Sequence, residues 1–211
     1  MKNKKKINNR NFLFLILFLF STSLLFLKTL KKVNIEDIRI SGSKLFSQND
    51  LVNNSSLKLP IRLIFIQTNF LEKELIQNLS LKNVSVSREL FPFGLKVDVN
   101  TRTPIAYGEK ISNEEKILGF IDKDGIFIEK QNTDEKNLNK LNIQVFGWEK
   151  KFKKPLSEIL ITQENYEFEL VKIIFSPNGF LTVEEKDLKT IFLGFKPDLI
   201  NYQLQIINNL K

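Results

Sequence analysis

The chain of 211 residues contains no cysteine and no histidine. Without cysteine there is neither a disulfide nor a thiolate metal site, and thiol content says nothing about the compartment. Without histidine, Ser–His and Cys–His nucleophile activation, imidazole metal ligation and the usual proton shuttle near neutral pH are excluded. Glycine is scarce, at eight residues, and no G-x-x-x-x-G-K-[ST], G-x-G-x-x-G or H-E-x-x-H pattern occurs. Acidic residues are missing from positions 1–32, which hold Lys2, Lys4, Lys5, Lys6, Arg10, Lys28, Lys31 and Lys32. These eight account for the whole net charge of +8, because the other 24 of the 32 basic residues match the 24 Asp and Glu. The body of the protein is neutral, and a phosphate-tracking nucleic-acid surface loses its main support.

Carboxylate catalysis needs evidence of its own. Glu114 with Glu115 and Glu184 with Glu185 are adjacent pairs. Neighbours on a strand point to opposite faces, so neither pair suits a shared acid–base site, and both read as solvated charge. The residue types therefore lead us to expect no catalytic, cofactor-binding or metal site and no small-molecule substrate.

What the chain does have begins with an apolar run at residues 12–27, interrupted only by Ser21, Thr22 and Ser23. Hydroxyls at such positions can bond back to helix carbonyls. Extended to residues 11–30, with Lys28 snorkelling its ammonium to the headgroups, the run is long enough to cross a hydrocarbon core of about 30 Å. A cleaved signal peptide shares the basic start and apolar centre, but no small-x-small pattern follows here, so an uncleaved anchor is expected. Five basic residues precede the apolar run at 12–27 and three follow it. That bias places the N-terminus in the cytoplasm and the bulk of the chain outside it.

Residues 33–41 read as a strand, with Ile35 out of phase with Ile38 and Ile40 across Glu36 and Asp37, as at a bulge. Ser47 and Asp50 form an S-x-x-D cap before a short helix. Asn69 with Glu72 repeats the cap before a second helix over residues 70–79, where Leu71, Leu75 and Leu79 share a face. Two alternating runs then follow, Val84, Val86, Arg88 and Leu90, and Leu95, Val97 and Val99. They flank the turn Phe91-Pro92-Phe93-Gly94 as a β-hairpin whose apolar face the two helices would cover.

Beyond Pro104 strands dominate. Residues 117–121 and 126–128 flank Asp122-Lys123-Asp124-Gly125, where Asp-Gly signals a hairpin and the ligand register of a calcium loop is missing. Residues 129–141 read as a loop, 143–146 as a short strand ending at Gly147, and 156–163 as a helix after Pro155. Residues 168–175 and 180–184 bracket a second hairpin turn, Ser176-Pro177-Asn178-Gly179, and a strand of Thr190, Ile191, Phe192 and Leu193 stops at Gly194. From Asp198 onward, Leu199, Ile200, Leu204, Ile206, Ile207 and Leu210 make one apolar stripe, a closing amphipathic helix expected to pack on the sheet, with a partner helix as the alternative occupant of its stripe. No fixed-period repeat, low-complexity tract or long linker is present. Arg88 and Arg102 read as exposed, structural strand arginines rather than a binding surface.

Arg88, Pro92, Leu95, Val97, Val99, Arg102, Pro104 and Ala106 fall in the order R-x-x-x-P-x-x-L-x-V-x-V-x-x-R-x-P-x-A. This resembles the end of the POTRA domain in the FtsQ/DivIB family of bacterial cell-division proteins, with Thr101 where the family usually has Glu. Ile121, Asp122 and Gly125 resemble the I-D-x-x-G that opens the family's second, β-rich domain. The resemblance implies an α+β chain: a basic cytoplasmic tail (1–10), a transmembrane helix (11–30), a β-α-α-β-β POTRA domain (33–104) and a β-rich antiparallel domain with a C-terminal helix (105–211). It implies a non-enzymatic, single-pass protein of the inner membrane with its bulk in the periplasm at the septum. Its partners would be FtsB- and FtsL-like bitopic proteins, through them the septal wall synthase, and inner-membrane lipid. Family members from many bacteria continue into a final I-D-x-R-Y strand region where a partner pairs by extending the sheet. In this chain the last strand, Thr190 to Leu193, is then the candidate edge. A membrane-tethered extracytoplasmic enzyme using carboxylates, or another POTRA protein of envelope assembly, would be the alternatives. The second normally brings a barrel or repeated POTRA units, for which this chain is too short.

Overall fold

A computed structural model describes residues 9–112, 115–133, 138, 141–166, 169–187, 189–194 and 196–209. The described residues pack as two compact units, divided between residues 1–75 with 84–99 and residues 76–83 with 100–211.

The first unit opens with α1 (Asn9–Thr29). Its segment Phe12–Thr29 has mean hydropathy 2.1 and none of it is buried within the protein. The hydroxyls of Thr22 and Thr29 donate to the carbonyls of Leu19 and Phe26 at 2.9 and 2.7 Å, removing two polar groups from the helix surface. There follow β1 (Lys32–Val33), β2 (Ile38–Ser41), α2 (Gln48–Asn53), β3 (Ile61–Arg62), α3 (Thr68–Asn78), β4 (Asn83–Leu90) and β5 (Phe93–Asn100). Where a single bulged strand was expected at residues 33–41, β1 and β2 are separated by a 3-10 turn, Ile35–Asp37. The out-of-phase Ile35 belongs to that turn, and β1 pairs with β3 instead of continuing into β2. The Ser47 cap forms as read: its hydroxyl accepts from Asp50 N–H, while Asp50 accepts from Ser47 N–H at 2.7 Å. The Ser47 hydroxyl, and after it the Ser47 amide, hold the Asp50 carboxyl below its ordinary range.

The second cap does not form where it was read. Helix α3 starts at Thr68, ahead of Asn69, and Glu72 reaches sideways to accept the Val86 N–H of β4 at 2.7 Å. A carboxylate that can satisfy a strand amide outcompetes a local cap. The sheet order is β2-β5-β4, with β2 parallel to β5 in the register Ile38↔Leu95 to Ser41↔Asp98. The expected alternation holds, since Val84, Val86, Leu95, Val97 and Val99 are all buried, together with Leu51, Leu71 and Leu75 of the helices. At the hairpin turn Gly94 has φ 138°, and a Cβ there would lie 2.0 Å from the Asp37 carbonyl oxygen. Only glycine lets the turn close on the 3-10 segment.

The second unit is built on β6 (Pro104–Ser112), β7 (Glu115–Asp122), β8 (Phe127–Glu129), β9 (Ile143–Trp148), α4 (Lys153–Gln163), β10 (Leu170–Phe175), β11 (Leu181–Glu185), β12 (Lys189–Gly194) and α5 (Ile200–Asn209). Its seven strands run β12-β11-β10-β9-β6-β7-β8. The expected antiparallel sheet is in fact mixed, because β9 lies parallel to both β6 and β10. Parallel neighbours cannot be joined by a tight turn, and α4 supplies the crossover between β9 and β10. Leu156, Ile159 and Leu160 of α4 and Ile200, Leu204 and Ile207 of α5 pack with Ala106, Ile121, Val145, Ile173, Val183 and Leu193 of the sheet in one buried cluster. The closing helix therefore covers the sheet, but with a narrower stripe than expected: Leu199 and Ile206 are exposed, and Leu210 lies outside the described residues. Strand β9 runs on through Gly147 to Trp148, and β10 begins at Leu170; Phe168 also lies outside the described residues.

Arg102, on the segment that leads into β6, donates from Nη1 to Asp122 Oδ2 at 2.5 Å and to Asp124 Oδ2 at 3.0 Å. The Arg102 and Asp122 side chains are 9% and 5% exposed, so the arginine is not on the surface as its sequence suggested. It turns inward because Asp122, at the end of β7, would otherwise bury an unpaired charge. Asp122 Oδ1 accepts Ile126 N–H at 2.8 Å, which closes the turn into β8. Gly125, at φ 72°, lies where a Cβ would be 2.3 Å from the Lys153 carbonyl oxygen. Its own carbonyl accepts Trp148 Nε1–H at 2.9 Å, and the Lys123 carbonyl accepts the Ser157 hydroxyl at 2.9 Å. One ion pair thus joins the entrance of β6, the end of β7, the end of β9 and the first turns of α4.

Replacing Arg102 with Met strands a buried carboxylate and should cost about 3–5 kcal/mol in urea unfolding of the detergent-solubilised chain. Trp148, the sole tryptophan, reports on the same cluster. A loss below about 1 kcal/mol, the size of an exposed pair, would contradict the burial.

Candidate functional site

A chain without cysteine or histidine can still bind through the backbone of a sheet edge. The second unit's sheet has two. Strand β8 is one, with three residues, and short edges discourage pairing. Strand β12 is the other, with six residues and all four positions expected to form an interface. Its inner side pairs with β11 in the register Thr182↔Phe192, Val183↔Ile191 and Glu184↔Thr190. Leu193 is buried and Ile191 half-buried toward the helices, whereas Thr190 and Phe192 are exposed, Phe192 by 69%. The Phe192 ring lies 6.1 Å from that of Phe180 at 58°. One strand inward on the same face, Glu184 pairs with Lys172 at 2.6 Å. Among the described residues the edge therefore presents an unpaired strand side next to the exposed Phe192, the half-buried Phe180 and a closed ion pair, the combination of directional hydrogen bonds and an apolar anchor that strand addition uses. At its far end the Leu193 carbonyl accepts Gln203 Nε2–H of α5 at 3.0 Å, which fixes the end of the strand on the helix.

The residues singled out by the sequence motif divide between the units. Arg88, near the end of β4, donates from Nη2 and Nε to the Ile66 carbonyl at 2.6 and 3.2 Å. It is exposed and structural, as read. The Pro92 carbonyl accepts Arg39 Nη2–H at 3.0 Å. Arg102, Asp122 and Gly125 meet in the ion-pair cluster, Pro104 sits opposite Asp122 across the β6–β7 ladder, and Ala106 is fully buried between Ile121 and Ile143. Among the described residues no group of three or more Asp and Glu is placed to hold a metal ion. Asp122 and Asp124 both face Arg102.

The reading of Glu184 and Glu185 as solvated needs correction. They do face opposite sides of β11, but Glu185 is 2% exposed, with Oε1 accepting Glu169 N–H at 3.3 Å and Oε2 accepting Asp187 N–H at 2.6 Å. Strand-end amides that need acceptors draw it in. Glu115 is exposed, and Glu114 lies outside the described residues. Sequence reasoning also missed Arg39, which bonds Glu89 at 2.6 Å and the carbonyls of Pro92 and Phe93. Its partners lie fifty or more positions away, so no local pattern marks it. The lone tryptophan was a signal available and unused, since Trp148 donates into the Gly125 turn.

Residues 33–102 match the family model of the POTRA domain, FtsQ-type. Over 110 residues the chain is 30% identical to the cell division protein DivIB of Clostridium acetobutylicum, a stretch that makes up 52% of this chain and 42% of that relative. The match thus spans less than half of the relative's length. The matched domain begins just after α1, and the β-rich unit beyond it carries the Arg102, Asp122 and Gly125 cluster. Residues 33–102 of this chain therefore resemble an FtsQ-type POTRA domain, and the likeness to a DivIB cell-division protein extends over 110 residues.

Proposed function

We propose that this protein works in division without catalysing a reaction, as a single-pass membrane protein that links septal proteins by strand addition at β12. The observation that carries the docking site is the six-residue edge with Phe192 exposed beside it. In this reading residues 1–10 are a cytoplasmic tail and residues 11–30 cross the inner membrane. The POTRA domain (33–104) and the β-rich domain (105–211) lie in the periplasm at the septum. The apolar helix with basic flanks supports the anchor. The partner is a bitopic division protein of the FtsB or FtsL kind, which offers an extended segment to β12 and connects it to the septal wall synthase. An apolar side chain on that segment would pack against Phe192 and Phe180.

Two measurements test this. Shutting off supply of the protein while imaging a tagged copy should show mid-cell signal, then filamentous or enlarged undivided cells; uniform envelope signal with normal division would contradict the division role. At the edge itself, neighbouring residues of a strand direct their N–H groups to opposite sides, so one of Ile191 and Phe192 faces outward. Proline there removes one donor and fixes φ, which an edge strand tolerates. We expect the outward one of Ile191→Pro and Phe192→Pro to abolish partner co-purification with little change in thermal unfolding. Binding retained by both variants would exclude this edge.

A further inference from the structure

The turn between β4 and β5 carries an exposed aromatic ring whose place the fold does not explain. Phe91 is 70% exposed, yet the Lys28 ammonium of α1 sits 3.4 Å from its ring centroid, and Lys31 lies 4.7 Å from the ring of Phe93. Between the hairpin tip and the last two turns of α1 runs an open crevice of about 570 Å³, lined by Ser21, Leu24, Leu27, Lys28, Lys31 and Phe91. Its lining has two cations, four uncharged groups and no carboxylate. The backbone holds the unit at this level, since Leu63 N–H donates to the Lys31 carbonyl at 3.2 Å and Lys32 pairs with Arg62 in the β1–β3 ladder.

Depth along α1 gives the crevice its character. The apolar segment Phe12–Thr29, at about 1.5 Å per residue, extends roughly 27 Å, close to the thickness of a hydrocarbon core. Lys28 and Lys31 then stand at the headgroups, and Ser21 lies roughly 10 Å deeper than Lys28, among acyl chains. The crevice is cationic at its mouth and apolar along its length. An ammonium has three donors, so Lys28 can face Phe91 and an anionic oxygen together.

We propose that this crevice seats one anionic phospholipid of the outer leaflet, with its phosphate between Lys28 and Lys31 and an acyl chain along Leu24 and Leu27, beneath Phe91. The inference rests on the reading of α1 as a spanning anchor. Its role is to fix the hairpin tip to the bilayer surface, so that the first unit does not swing freely on the helix.

The test uses the full chain reconstituted in mixed vesicles of phosphatidylcholine and phosphatidylglycerol, with one or the other brominated on its acyl chains. In a Trp148→Phe background, Phe91→Trp leaves a single indole at the tip and keeps an aromatic ring against Lys28. Its fluorescence should be quenched about fivefold more by brominated phosphatidylglycerol than by brominated phosphatidylcholine, the preference that one lysine–headgroup interaction gives. The preference should vanish in Lys28→Gln/Lys31→Gln. Leu17→Trp in the same background reports the anchor and should be quenched equally by both lipids. If Leu17→Trp is quenched while Phe91→Trp is quenched equally by the two lipids, or by neither, the seat is overturned and the anchor stands. If neither lipid quenches Leu17→Trp, the anchor falls and the seat with it. Because Trp148→Phe removes the hydrogen bond to Gly125, native mass spectra of the unaltered chain provide a second readout. One retained phosphatidylglycerol, lost in the double lysine variant, supports the seat, and no retained lipid overturns it.

Discussion

The second unit depends on a carboxylate that has to be paired. Asp122 closes β7 where the chain must turn sharply into β8, and the turn geometry buries it. A buried carboxylate without a partner would cost several kcal/mol, so Arg102 has to reach it, and that fixes where β6 begins relative to the end of β7. The turn that results carries Gly125 against Lys153 and Trp148, which brings the end of β9 and the start of α4 to the same point. The order of the sheet follows: β9 lies beside β6, and only a helical crossover can return the chain to a parallel β10.

From that order comes the surface proposed for docking. Strand β10 adds to β9 in parallel, β11 and β12 follow outward as antiparallel neighbours, and α4 and α5 cover one face with Leu156, Ile159, Leu204 and Ile207. Among the described residues, what stays open is the outer backbone side of β12 and the exposed Phe192 beside half-buried Phe180. The acids that might suggest chemistry are occupied: Asp122 by Arg102 and a turn amide, Glu185 by two backbone amides, Glu184 by Lys172. A sheet with an accessible edge is suited to recognition, and the proposed role in division rests on that edge.

Much of this was legible in the sequence, where the signal was periodic or local. The alternation at Val84, Val86, Leu95, Val97 and Val99, the Ser47 cap and the Asp-Gly turn depend on near neighbours and appear in the structure as read. What was illegible depended on partners distant in sequence. Glu72 looked like a cap residue but serves Val86, Arg102 looked like a surface arginine but serves Asp122, and Glu185 looked solvated but serves Glu169 across the sheet as well as its near neighbour Asp187. A polar side chain carries no mark of which distant amide will claim it. The parallel placement of β9 was hidden for a similar reason, since strand pattern is the same in either direction. For the candidate edge, the existence of a strand at Thr190 to Leu193 could be read, but its position at the end of the sheet and the exposure of Phe192 needed the fold.

The account's central claim, that the protein acts through the open backbone edge of β12, can be examined by amide hydrogen exchange on the full chain with and without its co-purified division partner. Strand addition gives the outward N–H groups of β12 new acceptors while leaving those paired to β11 as they were. The account predicts slowed exchange at alternate residues within Lys189–Gly194. Unchanged exchange along β12, with slowing confined to another element, would contradict it.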